Sequence, residues 1–232
     1  MKQLTTRLLL AFVVGCALVA PAAADPTLLF DYVGFDYEYP DADPLFGGIG
    51  DGYKGVGEVP FIDPILTTDQ TTYQYTYYFE GLTASSRQVF SPFVIIDYAG
   101  SPGTLTIYED LRVAPGTPAV YGTNPPSPDA PPSFIDGTAI LVGELTNFRY
   151  IFNEDKDSGS FEANFEVTGG TQFGNIPANQ RVGWTFAGTT GNSTTIPTGY
   201  DHQVDGQTFL NPPTSTRPGT WGGLKARYRG AR

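Results

Sequence analysis

Residues 148–167 read FRYIFNEDKDSGSFEANFEV, two runs of alternating large and polar residues around a polar turn. Phe148, Tyr150 and Phe152 share one face of the first run, and Phe161, Ala163, Phe165 and Val167 share one face of the second. A period of two sends successive side chains to opposite faces, so one face enters a core and the other meets water. Between the runs, Asn153-Glu154-Asp155-Lys156-Asp157-Ser158-Gly159 supplies turn residues, and the whole stretch reads as a β-hairpin. Glu162, Asn164 and Glu166 then point away from the core, towards solvent or a partner.

The same alternation recurs at 28–33, 72–80, 89–98, 104–108, 139–145, 182–187 and 207–210. With 28 Gly and 20 Pro the chain does not suit a helical bundle, whereas 40% hydrophobic and 14% aromatic residues suffice for a real core. The expectation is all-β: a single antiparallel β-sandwich or jelly roll of about nine or ten strands. Two stretches resist strand assignment. Residues 39–60 are rich in Gly, Pro and Asp and read as a long irregular loop, and 114–133 hold seven prolines and read as an extended surface loop. The expected organisation is a leader at 1–24, one domain at 25–210, and a linker with a basic aromatic tail at 211–232.

The leader reading rests on Lys2 and Arg7, an apolar run of 13 residues from Leu8 to Ala20, and Ala22-Ala23-Ala24 before Asp25. That order is a secretory signal peptide, and the run is too short to span a bilayer. Val13-Val14-Gly15-Cys16 offers an alternative, a lipoprotein acylated at Cys16, but the apolar run continues past Cys16 through Leu18 and Val19. Simple cleavage is the favoured reading, and it removes the single cysteine and with it disulfide and thiolate chemistry. The expected location is therefore extracytoplasmic: periplasm, cell surface or medium. The 24 Asp and Glu outnumber the 13 Lys and Arg, which argues against a nucleic-acid partner.

No catalytic motif stands out. His202 is the one histidine, set in Gly199-Tyr200-Asp201-His202-Gln203-Val204-Asp205-Gly206, which reads as a turn without an activated serine. One histidine and no retained cysteine leave zinc poorly served, whereas oxygen ligands are plentiful, so calcium is the ion to consider. Asn153, Asp155 and Asp157 alternate like the front half of a calcium loop, but Ser158 replaces the expected glycine and Asn164 the closing glutamate. Asp36, Glu38, Asp41 and Asp43 form a second acidic stretch. Glu162 and Glu166, four apart on a strand, are about 13 Å apart, too far for two-carboxylate glycoside hydrolysis. Glu80 with Glu109 depends on strand order.

Tyr73, Tyr75, Tyr77 and Phe79 share one face of a strand. Rings so aligned either stack on sugars, with Gln74 and Thr76 nearby, or fill a core. In the tail, Thr220 is placed to cap a short helix with Trp221, Leu224 and Tyr228 on one side and Lys225, Arg227 and Arg229 around it. This Thr-Trp-Gly start and Tyr-Arg end resemble the short C-terminal tails of secreted all-β surface proteins of poorly characterised bacteria. The resemblance is confined to the tail and implies no activity. The reading that results is a secreted, non-catalytic envelope or cell-surface module that binds or builds. Its expected partner is a surface or matrix component, with polysaccharide as the specific candidate and a glycoside hydrolase as the remoter alternative. No cofactor is expected, apart from calcium as the candidate ion.

If the leader is cleaved as read, the protein recovered from the extracytoplasmic fraction begins at Asp25. Intact mass spectrometry is expected to show that start, and a species beginning at acylated Cys16 would contradict it.

Overall fold

The computed structural model describes residues 26–41, 45–98, 102–112, 118–121 and 131–210. The signal-peptide reading, Asp43 and the tail residues Trp221, Leu224, Lys225, Arg227, Tyr228 and Arg229 lie outside the described residues. Within the unit Pro26–Asn211 the chain is all-β and antiparallel, in ten strands. These are β1 (Thr27–Glu38), β2 (Gly52–Ile62), β3 (Tyr73–Thr83), β4 (Ser86–Phe90), β5 (Phe93–Asp97), β6 (Gly103–Leu111), β7 (Thr138–Asn153), β8 (Ser158–Gly169), β9 (Trp184–Gly191) and β10 (His202–Leu210).

The sandwich expectation is corrected here. The strands run β7-β6-β3-β2-β1-β10-β9-β8, and β8 pairs back onto β7, so eight strands close into a barrel. The β4–β5 hairpin adds to the far half of β7 as a two-strand flange. Closure leaves no open edge in the eight-strand wall, and an eight-strand barrel is just wide enough for side chains to fill.

What fills it is aromatic. Tyr32, Tyr53, Tyr77, Phe79, Phe148, Tyr150, Phe161 and Phe186 are buried inside, with Tyr32 stacked on Phe186 at 4.8 Å and Phe148 on Phe161 at 5.2 Å. Rings of this size fit because four of them face a glycine directly across the ladder: Tyr32 opposite Gly206, Phe79 opposite Gly55, Tyr77 opposite Gly57, and Phe161 opposite Gly188. A Cβ on Gly57 or Gly188 would lie 2.6 Å from a ring atom of Tyr77 or Phe161, and one on Gly206 would run into the Tyr32 ring. This explains why 39–60 misleads as a loop. Its second half is β2, whose glycines make room for Phe79 and Tyr77.

Outside, β8 exposes Ser160, Glu162, Asn164, Glu166 and Thr168 while burying Phe161, Ala163, Phe165 and Val167, as the hairpin reading required. Lipid-spanning barrels carry apolar residues outside and polar ones inside, so this alternation has the opposite sense. Among the described residues no helix is long and apolar enough to cross a membrane. Just after the proline-rich stretch, the chain packs onto the barrel. Phe134 is buried over the outside of β1–β3 with Tyr37, Val56, Tyr78 and Tyr200, and Thr76 donates a hydrogen bond to the Phe134 carbonyl at 2.8 Å. Residues 89–98, expected as one strand, fold as the β4–β5 hairpin around Ser91-Pro92. Residues 139–152, expected as two strands, form one strand with a bulge at Asn147, where φ is +54°.

The ring-on-glycine packing makes a direct prediction. Gly206→Val is expected to force Tyr32 from its place and cost about 1–3 kcal/mol, because overpacking a filled core displaces rings or backbone. Gly174→Ala, where nothing lies within 4 Å of the added carbon, is expected to leave stability unchanged. Equal unfolding midpoints for the two variants would contradict this packing.

Candidate functional site

Two places on the barrel concentrate polar chemistry. The first is the end where β1 finishes and β2 and β10 begin. Asp36 on β1 pairs in register with His202 on β10, and its Oδ1 accepts the His202 backbone N–H at 2.8 Å and lies 3.2 Å from Nδ1. Asp36 Oδ2 accepts the Tyr53 hydroxyl at 2.7 Å. His202 Nε2 lies 3.3 Å from Asp157 Oδ1, and Asp157 Oδ2 accepts from Asn192 Nδ2 at 2.6 Å. Phe46, from the 45–51 loop, packs edge-on against the imidazole at 4.8 Å.

His202 is therefore no turn residue; it opens β10 and is buried. Burial disfavours its charge, but the hydrogen bond and charge of Asp36, with Asp157 and Asp201 behind them, prevail and raise its pKa to about 9. Both ring nitrogens face carboxylates, so the ring has none left to serve as a base towards a substrate. Nearby, the buried hydroxyls of Tyr150 and Thr190 share a hydrogen bond with each other.

Beside this pair sits an acidic group. Glu38 Oε1 accepts the Gly47 N–H at 2.7 Å, and the Glu38 backbone N–H donates to Asp201 Oδ2 at 2.9 Å. Ligand atoms of Glu38, Asp41 and Asp51 all lie within 4.8 Å of one another. Burial, opposed by the Gly47 hydrogen bond and reinforced by Asp51, Asp201 and Asp41, raises the Glu38 carboxyl to about 8. Burial and Asp36 raise Asp201 to about 6. Asp41 thus joins a carboxylate cluster, as its acidic stretch suggested, but its companions are Glu38 and Asp51. Asp51 sits in the glycine-rich run read as loop.

The other calcium expectation is corrected. In the β7–β8 turn Asn153 Oδ1 accepts the backbone N–H groups of Asp155 and Lys156, and Asp157 is taken by His202 and Asn192. Asn153 thus closes the turn and Asp157 holds a histidine, and the carboxylates gathered closely enough for one ion among the described residues are Glu38, Asp41 and Asp51 instead. The sugar-stacking expectation is corrected as well. Tyr75 and Tyr77 point into the barrel at 3% and 1% exposure, where no surface sugar can reach them, and Tyr73, half-buried, packs against the same core. Of the carboxylate pairs, Glu80 lies opposite Thr104 while Glu109 lies opposite Tyr75, five residues along the same ladder, or about 17 Å. Glu80 instead meets Lys54 at 3.6 Å, and Glu109 accepts the Tyr75 hydroxyl at 2.7 Å.

The second place is a groove of about 1200 Å³ across the outer face of β7–β10, beside the start of the flange. Arg149, Glu162, Asn164, Thr189, Asp205 and Gln207 line it, with Ala187, Gly188 and Gly206 among the lining and Ile151 adding an apolar patch. Arg149 pairs across the ladder with Glu162 and donates to Asp97 Oδ1 at 2.6 Å. Glu162 and Asp205 are separated by two strand steps and two residues, about 12 Å, beyond the range of paired catalytic carboxylates. Glu162 and Asn164 were legible as outward-facing; Arg149, Asp205 and Gln207 join them only through strand order.

The imidazole charge makes stability depend on pH. An unfolded histidine titrates near 6.5, so the stabilisation from charged His202 is complete below that pH and fades as pH rises through about 9. NMR titration of the ring is expected to give a midpoint well above 6.5, falling by roughly one unit or more in Asp36→Asn. The same variant is expected to lose about 3–5 kcal/mol through the broken buried pair. An unshifted imidazole would contradict the charged pair.

No family model matches the chain, and no curated protein and no solved structure matches it.

Proposed function

We propose that the protein is a secreted, non-catalytic binding module of the bacterial envelope or cell surface, and that its groove across β7–β10 holds a carbohydrate chain. The observation that carries this reading is the groove itself. Its walls present planar amide, carboxylate and guanidinium groups from Asn164, Gln207, Glu162, Asp205 and Arg149, which suit the paired hydroxyls of a sugar. Ile151 offers an apolar surface for a ring face. The small outward side chain of Ala187 lets a ligand approach the wall closely. The reading without catalysis is supported by the engaged nitrogens of His202 and the wide spacing of Glu162 and Asp205. The leader read at 1–24 supports a location outside the cytoplasm, and the basic aromatic tail at 217–232 is the candidate for attachment there.

The flange favours a second reading. Val89, Phe90 and Phe93 are 54%, 58% and 46% exposed around the hairpin tip, and apolar groups grouped like this mark contact with another macromolecule. On that reading the protein is a structural component of the surface and the groove is incidental.

A glycan array followed by calorimetry separates the two. Binding to a polysaccharide is expected, with affinity reduced roughly tenfold or more in the double variant Asn164→Ala with Gln207→Ala, since each lost hydrogen bond costs about 0.5–1.5 kcal/mol. Absence of glycan binding, or binding untouched by that variant, would overturn the carbohydrate reading.

A further inference from the structure

We propose that Glu38, Asp41 and Asp51 form a calcium site at the β1–β2 end of the barrel. The geometry comes first. Three carboxylate oxygens that lie within 4.8 Å of one another have a common centre no more than about 2.8 Å from each, a few tenths of an ångström from the 2.3–2.6 Å of calcium–oxygen bonds. The donors are all oxygens, which selects a hard cation over zinc or copper. Asp51 is fully buried and Glu38 partly so, whereas Asp41 is exposed, so the group is anchored in the protein and open on one side. Carboxylates gathered in this way repel one another, and a divalent cation between them reverses the sign of that interaction.

An independent observation points the same way. The Tyr98 hydroxyl is buried, with the residue 1% exposed, and has no hydrogen-bond partner among the described residues. A buried donor left without a partner is costly, so such groups are normally satisfied by protein or by ordered water. Its ring packs against Tyr53 at 5.4 Å, the residue whose hydroxyl donates to Asp36, and after burial the charge of Glu38 acts on the phenol most strongly, followed by those of Asp36, Asp51 and Asp201, so Tyr98 belongs to the acidic end of the barrel. Three protein carboxylates leave calcium, which takes six to eight oxygens, several positions for water. A water in that shell gives Tyr98 the partner it lacks.

The site also explains the path of the chain. The 45–51 loop returns over the end of β1, donates the Gly47 N–H to Glu38, and carries Asp51 into the wall just before β2 begins. A cation held by Glu38, Asp41 and Asp51 ties the end of β1 to the start of β2 across that loop.

Calorimetric titration of the full-length protein with calcium chloride tests this, alongside melting curves in calcium and in chelator. One calcium per chain is expected, with a melting midpoint that rises with the logarithm of free calcium. Affinity is expected to fall tenfold or more in Asp51→Asn and in Asp41→Asn, and to stay unchanged in Asp155→Asn. Asp41 is exposed, so its variant decides the matter if Asp51→Asn fails to fold. Tyr98→Phe is expected to weaken binding less than either carboxylate change. Absence of heat with superimposable melting curves would overturn the site, as would binding lost in Asp155→Asn and kept in Asp41→Asn.

Discussion

The barrel depends on aromatic rings lying over glycines of the neighbouring strand. Eight strands enclose a space that side chains must fill completely, and the bulk comes from Tyr32, Tyr77, Phe79 and Phe161, each opposite Gly206, Gly57, Gly55 or Gly188. A ring that folds across an absent side chain covers backbone on two strands at once, which fixes register as well as volume. Slipping one strand by one residue would turn its rings outward and its polar residues inward. The glycines, costly in an ordinary strand, are here what the ring on the next strand requires.

A filled aromatic interior has consequences for polar groups. It gathers Tyr32, Tyr53, Tyr77, Phe79, Phe148, Tyr150, Phe161 and Phe186 in the interior, while the polar clusters described lie at one barrel end and on the outer face. At one end the sheet buries Asp36 and His202 as a charged pair, held by Tyr53 and Asp157. Buried pairs of this sort add little net stability over apolar packing, but losing one partner is expensive. Here the pair joins the first and last strands, where closure depends on contacts far apart in sequence. On the outer face the bulge at Asn147 and the flange beyond it accompany the groove beside β8, where outward polar residues collect.

Much of this was legible in the chain, and the failures have physical reasons. The alternation in 148–167 gave the β7–β8 hairpin, its buried residues and its outward Glu162 and Asn164, because a two-residue period reports which side chains share a face. Which face is inside, and whether a sheet closes, depend on pairings between distant strands, so the barrel read as a sandwich and Tyr73–Phe79 stayed ambiguous. Glycine signals turns in isolation, and β2 hid behind that signal since its glycines answer rings on β3. His202 looked like a turn residue because Gly199 and Gly206 bracket it. The alternating burial of His202, Val204, Gly206 and Thr208 is visible in hindsight as the inner face of a strand. The ligands of the acidic group were half visible: Glu38 and Asp41 are close in sequence, whereas Asp51 reaches them only through the fold of the loop.

These elements form one account: rings over glycines close the barrel, closure buries a charge pair at one end, and outward polar residues line a groove on the outer face. Proton NMR of the folded protein tests its foundation most directly. Glycine Hα protons beneath an aromatic face are shifted strongly upfield, so those of Gly55, Gly57, Gly188 and Gly206 should all show such shifts. Cross-strand contacts between β7 and β8 and between β1 and β10 should accompany them. Hα resonances at ordinary strand positions, with no β7–β8 contacts, would show an open sheet with differently packed rings and would contradict the account.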